Sequence, residues 1–132
     1  MAKFENVLLI EDDSITIMVC ERIITMTGFA SRVKSALNGK EAIDYLEEIS
    51  ERKETLPDII FLDINMPVMN GWQFLEQLET VKSKFPRLPD IYILSSTVDP
   101  EDYKKAESFS TVKSFISKPL TREHLDQINA SA

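Results

Sequence analysis

Residues 59–62, Ile-Ile-Phe-Leu, run without interruption into one carboxylate, Asp63, and then into Ile64-Asn65-Met66-Pro67. With Pro57 before the run and Pro67 after it, the stretch has the length of a strand. Because its residues are apolar on both alternating faces, it reads as a strand buried on both, as parallel sheets require. Both faces of such a sheet need covering layers, so the rest of the chain must supply helices for each. Functional groups in open parallel sheets collect at the carboxyl ends of strands, and Asp63 stands at such an end. Taken alone, an Asp in this place is more often a turn residue or a helix cap.

The flanking sequence supplies the other elements. Residues 7–10 form a first strand. A helix over 15–27 follows, with apolar positions at Ile15, Met18, Val19, Ile23 and Met26 and a stop at Gly28. Residues 29–33 read as a weaker second strand. Asn38 resembles a helix cap with Glu41 three residues on, opening a helix through Ala42, Ile43, Leu46 and Ile49 that ends in the polar stretch 50–55. After the third strand, over 58–62, Asn70-Gly71 introduces a helix with Phe74, Leu75 and Leu78 inward, and Phe85-Pro86-Arg87-Leu88-Pro89 breaks it. Residues 91–94 form a fourth strand. Asp99-Pro100-Glu101-Asp102 starts a fourth helix, with a capping side chain, proline at the first helical position and acids at the positive end of the dipole. A fifth strand lies at 114–117, and Thr121 caps a terminal helix holding Leu125 and Ile128. Five strands alternating with five helices argue for an α/β fold, a parallel sheet with helices on both faces joined by right-handed crossovers.

At 132 residues the chain is expected to be one domain, with 43% hydrophobic residues to fill a core. Its apolar runs are far too short to span a bilayer, and the start Met-Ala-Lys-Phe-Glu lacks the features of a signal peptide, so a cytoplasmic location and no membrane contact are expected. A net charge of −7 argues against direct, non-specific binding to nucleic acid, which requires a cationic surface. The lone Cys20 reads as a small buried thiol. The lone His124 has no neighbouring Cys or His and reads as a solvated helix position.

In a parallel sheet the strand ends share one edge, which gathers Glu11-Asp12-Asp13, Asp63, Ser95-Ser96 and Lys118. Carboxylates crowded in this way raise one another's pKa unless a cation joins them, and a hard divalent ion suits oxygen ligands. Mg2+ held by Asp12, Asp63 and the backbone carbonyl of Asn65, with Glu11 acting through a water, is the expected arrangement. A carboxylate so placed, with a hydroxyl and an ammonium opposite, is suited to accept a phosphoryl group: Asp63 as nucleophile, Ser95 and Lys118 neutralising the transferred oxygens. Each residue alone has a plainer reading. The acids also suit a helix N-terminus, Ser95 a strand-end cap and Lys118 a solvated charge before a proline. Their coincidence on one edge is what favours chemistry.

As a set these residues resemble the receiver domain of bacterial two-component response regulators, over about residues 5–128. Glu11-Asp12 resembles the family's acidic pair, Leu62-Asp63-Ile64-Asn65-Met66-Pro67 with Asn70-Gly71 its phosphoacceptor motif, Ser95 its hydroxyl and Lys118-Pro119 its lysine-proline pair. The resemblance implies a doubly wound, flavodoxin-like five-stranded sheet of order 2-1-3-4-5. It also implies a signalling phosphoacceptor, not a metabolic enzyme, whose Asp63 is phosphorylated by a sensor histidine kinase or histidine phosphotransfer protein to alter binding of a target. A switch is implied too, in which Ser95 moves inward and Phe115 on the fifth strand changes rotamer. Thr97 and Ile64, bordering the site, are expected to tune the lifetime of the phosphoryl group through access of water. The segment 110–114 departs from the family in lacking small residues, and the last helix is short.

Three other readings are weaker. A receiver-like interaction module without phosphate chemistry has no need of the intact Asp63, Ser95 and Lys118. A flavin mononucleotide binder requires a Ser/Thr/Gly-rich phosphate loop where Glu11-Asp12-Asp13 stands. A phosphatase using an aspartyl phosphate commonly has a second Asp two residues on, and here that residue is Asn65.

Overall fold

A computed structural model of the chain describes residues 4–66, 68–96 and 99–131. Pro67 and Thr97 therefore lie outside the described residues. The elements alternate: β1 (Phe4–Ile10), α1 (Ser14–Met26), β2 (Ala30–Ala36), α2 (Gly39–Glu51), β3 (Ile59–Asp63), α3 (Gly71–Val81), a short 3-10 turn (Lys82–Lys84), β4 (Asp90–Ser95), α4 (Pro100–Glu107), β5 (Val112–Ser117) and α5 (Arg122–Ser131). All strand pairs are parallel, in the order β2-β1-β3-β4-β5. This is the doubly wound fold and strand order that the sequence and its resemblance imply.

The alternation of side chains along buried strands divides the core into two. Leu8, Ile10, Ile60, Leu62, Ile91 and Ile93 pack beneath α2, α3 and α4, joined by Leu46, Phe74, Leu75 and Ala106. Val7, Leu9, Ile59, Phe61, Tyr92 and Leu94 pack beneath α1 and α5, joined by Cys20, Ile24, Leu125 and Ile128. The chain steps one way from β1 to β2 and the other way thereafter. A single hand of crossover then puts α1 on the face opposite α2, α3 and α4.

Several boundaries differ from the sequence expectation. β2 runs on to Ala36 because its register with β1 continues from Val7↔Val33 to Ile10↔Ala36, although Lys34 and Ser35 interrupt its hydrophobic signal. Asp63 is the last residue of β3, hydrogen-bonded in register with Leu94, and does not follow the strand. The terminal helix has the expected ten residues.

The face of α1 requires correction. Ile15, Met18, Val19 and Met26 are exposed, while Cys20 and Ile24 are buried and Ile17 and Ile23 are partly buried against the core. This helix carries two apolar stripes at helical spacing, 15-18-19-26 and 17-20-24, on opposite sides. Periodicity alone cannot choose between them, and the narrower stripe with the small Cys20 is the one that packs on the sheet.

Candidate functional site

β1 lies between β2 and β3, so the chain leaves β1 for one neighbour and returns on the other side of it at β3. This reversal opens a crevice at the carboxyl ends of β1 and β3. The register Ile10↔Leu62 makes Glu11 and Asp63 the next residues on adjacent strands. Carboxylate oxygens of Glu11, Asp12 and Asp63 lie within 4.8 Å of one another, with Glu11 and Asp63 buried and Asp12 exposed. The neighbouring Asp13 is committed elsewhere: its carboxylate caps α1, accepting the Thr16 backbone N–H at 2.9 Å and the Thr16 hydroxyl at 2.7 Å. Those bonds hold Asp13 below the usual carboxylate range.

Lys118 enters from the end of β5, just before a cis bond to Pro119. Its backbone N–H donates to the Ser95 carbonyl at 3.0 Å, tying the lysine to the end of β4. Its ammonium donates to Glu11 Oε1 at 2.7 Å and stands 3.5 Å from Asp63 Oδ1. Glu11 Oε2 accepts the backbone N–H groups of Asp12 and Asp13 at 3.1 and 3.3 Å. Both oxygens of Glu11 are thus engaged by the protein, and the exposed Asp12 and the Asp63 carboxylate face the crevice with fewer such bonds.

Burial pushes the Glu11 carboxyl above its ordinary range; the bond from Lys118 opposes this and the Asp63 charge adds to it. Burial works to lower the Lys118 pKa, but the hydrogen bond to Glu11 and the charges of Asp63 and Glu11 outweigh it and hold the ammonium above its usual value. The Lys118 ammonium is shared between Glu11 and Asp63, and Asp12 adds a third carboxylate to the cluster. Among the described residues the excess in this partly dry crevice is negative charge carried on carboxylate oxygens, a composition that fits a hard divalent cation.

Ser95 ends β4 in a buried position, one residue beyond the partner of Asp63. The Asn65 side chain is exposed, and its backbone N–H donates to Asp63 Oδ1 at 3.4 Å. Phe115 is half-buried on β5, its ring 4.7 Å from that of Tyr103 on α4. Ile64, by contrast, turns into the core beneath α3 at 7% exposure. It does not border the mouth of the crevice, so its expected part in controlling water is withdrawn. Cys20 is buried and its thiol is pushed up to about 11, chiefly by burial, which matches an inert core residue. No helix of the described residues is long and apolar enough to cross a membrane.

Sequence reasoning missed three features beside this crevice: the exposed stripe of α1, the capture of Lys118 by Glu11, and a ring nitrogen of His124 that caps α5. The first could have been suspected from the second apolar stripe. The other two depend on side-chain rotamers that no pattern reveals.

A family model described as the response regulator receiver domain matches residues 7–129. The chain is 30% identical over 119 residues to the probable methanogenesis regulatory protein FilR2 of Methanothrix harundinacea, covering 90% of this chain and 75% of that protein. Further curated relatives match over 62 to 64 residues, and the chain spans only 16 to 24% of their length. Among solved structures, a two-component response regulator from Cytophaga hutchinsonii is 35% identical with a TM-score of 0.85, covering 98% of this chain and 96% of that one. The receiver domain of the histidine kinase CKI1 from Arabidopsis thaliana, complexed with Mg2+ and BeF3−, shares the fold at 22% identity and a TM-score of 0.81, covering 97% and 91%. The sheet order, the acidic crevice and these matches agree, and the chain belongs to the response regulator receiver domains of two-component signalling.

Proposed function

We propose that residues 1–132 act as one phosphorylation-controlled signalling domain in which Asp63 accepts a phosphoryl group. The observation that carries this reading is the placement of Asp63 at the carboxyl end of β3, with Glu11 and Asp12 in the same crevice and the Lys118 ammonium 3.5 Å away. An Asp63 carboxylate oxygen forms a bond to phosphorus as the bond from phosphorus to the donor's imidazole nitrogen breaks, and the imidazole leaves. The product is an acyl phosphate. Lys118 balances charge on the transferred oxygens, and the Ser95 hydroxyl donates to one of them. Asp12, Asp63 and the Asn65 carbonyl would hold Mg2+, with Glu11 acting through a water because both its oxygens already have partners. When bound, the ion neutralises charge on the phosphoryl oxygens. A receiver of the same fold complexed with Mg2+ supports this assignment.

The donor is a histidine kinase or histidine phosphotransfer protein, and the apolar stripe of α1 is where it docks. Ile15 and Val19 line a cleft of about 330 Å3 with Lys118, Pro119 and Leu120, so this surface is continuous with the crevice that receives the phosphoryl group. Phosphorylation then shifts an equilibrium through contacts that differ between two states: Ser95 moves toward the phosphoryl oxygens, and Phe115 changes its packing against Tyr103 of α4. An output target reads that change.

The test is intact-protein mass after incubation with acetyl phosphate, with Mg2+ or with EDTA, for the wild type and Asp63→Asn. A Mg2+-dependent gain of one phosphoryl group, absent in the variant, is the expected result. No gain, together with no detectable Mg2+ binding, would leave an interaction module without the chemistry. Ser95→Ala is expected to accept phosphate without the accompanying shift of α4 amide resonances; a full shift would refute the coupling.

A further inference from the structure

A hollow of about 480 Å3 lies where α2 meets the free edge of the sheet, against the middle of β1 and β2. The registers Asn6↔Arg32 and Leu8↔Lys34 put these four side chains on one face, the face on which Leu8 packs beneath α2. Tyr45 of α2, with Glu54 and Thr55 of the loop that follows it, completes the lining used below. The crevice of Glu11, Asp12 and Asp63 opens beyond the ends of the strands and shares no residue with this hollow.

The chain carries a net charge of −7, yet among the described residues neither Arg32 nor Lys34 makes an ion pair. Lys34 Nζ lies 5.5 Å from the centre of the Tyr45 ring, a contact that orders an otherwise free side chain at the lining. Arg32 brings a planar fork that matches phosphate oxygens, and Lys34 a compact point charge. Asn6, half-buried, and Thr55 add neutral donors and acceptors. Charges along a free edge strand also deter pairing with another chain, but that role asks for neither the hollow nor the aromatic ring. Glu54 sets a further condition. Its carboxylate is exposed and 3.8 Å from Arg52, and it lines the same hollow as the two cations. A bare anion gains from Arg32 and Lys34 and is opposed by Glu54, whereas an anion that also carries hydroxyl groups satisfies both signs.

We propose that this hollow binds a phosphate monoester with a hydroxylated body, the chemistry that sugar phosphates and nucleotides share. The phosphate lies against Arg32 and Lys34, and hydroxyl groups of the body donate to Glu54 and bond with Asn6 and Thr55. Its volume lies within the range of sites for small organic ligands. The site stands apart from Asp63, so the inference is independent of phosphoryl transfer in the crevice.

Amide NMR of the full chain at pH 7.5 in EDTA, titrated separately with ribose 5-phosphate, AMP, ribose and inorganic phosphate, tests the proposal. EDTA keeps divalent metal from drawing phosphate into the acidic crevice. Ribose 5-phosphate is expected to shift the Arg32, Lys34, Tyr45 and Thr55 amides saturably, with a dissociation constant of about 0.1–3 mM. Inorganic phosphate should bind about 3-fold more weakly or worse, and ribose should leave these resonances unmoved. Tighter binding of AMP than of ribose 5-phosphate assigns the site to a nucleotide; equal or weaker binding assigns it to a sugar phosphate. Replacing both exposed cations, Arg32→Gln with Lys34→Gln, is expected to weaken binding about 10-fold or more while amides distant from the hollow keep their wild-type positions. Glu54→Gln should narrow the preference for the ester over inorganic phosphate. The wild-type titrations do not depend on the folding of any variant. No saturable shift at these residues up to about 20 mM, or shifts confined to the surroundings of Lys118, would overturn the proposal. So would inorganic phosphate binding as tightly as the ester, or undiminished binding by the double variant.

Discussion

Gly71→Ala tests how tightly the start of α3 is fitted against the proposed acceptor. A Cβ at this position would stand 2.7 Å from the Asp63 carbonyl oxygen, 2.8 Å from Ile64 Cα and 3.3 Å from the Asp63 carbonyl carbon. All three are backbone atoms, so no side-chain rotation relieves the contact. The Gly71 N–H also donates to the Ile64 carbonyl at 2.9 Å, which ties the two segments together at the point of the clash. Restoring ordinary separation requires a shift of about 0.6 Å in the segment that carries Asp63. Overpacking of this kind costs about 1–3 kcal/mol, offset by about 0.4–1 kcal/mol from the stiffer unfolded chain. The net loss is about 1–2 kcal/mol, or roughly 4–8 °C in Tm for a chain of this size. Displacement of Asp63 is expected to slow phosphoryl uptake from acetyl phosphate by about tenfold or more, since small misplacements of reacting groups are costly. Gly28→Ala is the control. Its φ of 71° with nothing within 4 Å of the added carbon predicts a loss of about 1 kcal/mol from backbone strain alone and unchanged uptake. A Gly71→Ala protein as stable as the wild type, with wild-type uptake, would refute the reasoning.

Lys118→Met leaves Glu11 and Asp63 facing each other in a buried crevice without their shared cation, at a cost of about 2–4 kcal/mol at pH 8 in EDTA. Glu11, already raised by burial, rises further without the opposing bond. The folded state then keeps a proton that the unfolded chain releases, so the variant's stability is expected to fall with rising pH between 5 and 8 more steeply than the wild type's; parallel pH profiles by urea denaturation would contradict this. Val68, a β-branched residue with φ of 67° and 76% exposure, is expected to gain about 1 kcal/mol on replacement by Asn, measured as a higher denaturation midpoint. Ile24→Ala should cost about 2–5 kcal/mol and Ile15→Ala less than about 0.5 kcal/mol; similar losses for the two would show the wrong face of α1 assigned to the core.

Much of this molecule was legible in its sequence, for identifiable reasons. β1, β3 and β4 carry unbroken apolar runs, and Asn38 and Asn70 each cap a helix through the backbone N–H three residues on, at 3.0 and 2.9 Å. Such signals are local and survive without tertiary context. β2 was cut short because an edge strand can carry Arg32, Lys34 and Ser35 while its backbone stays paired. The face of α1 was misjudged because two stripes satisfied one period, and only the space over the sheet decides between them. His124 was read as a solvated position because its acceptor role depends on a ring rotamer.

The crevice was legible for a different reason: its geometry follows from the register of the core. Ile10 pairs with Leu62 and Leu62 with Ile93, one residue before the apolar run of β4 ends at Leu94, so the ends of the three apolar runs sit within one residue of level across the sheet. A slip of one residue in any of them would exchange the side chains committed to the two core layers, turning Ile60 and Leu62 toward α1 and α5 in place of Ile59 and Phe61. Hydrophobic packing therefore forbids the slip, and with it any shift of Asp63 relative to Glu11 or Ser95. Lys118 reaches the same edge because Ser117 pairs with Ser95 and the lysine N–H bonds to the Ser95 carbonyl. Loops joining these strands can differ in length without moving the carboxylates, since the strands and not the loops hold the separation. This is why residues far apart in sequence can be assigned to one crevice by counting to the end of each apolar run, whereas the bond that Lys118 makes there, to Glu11 at 2.7 Å and not to Asp63 at 3.5 Å, emerges only from the packed structure.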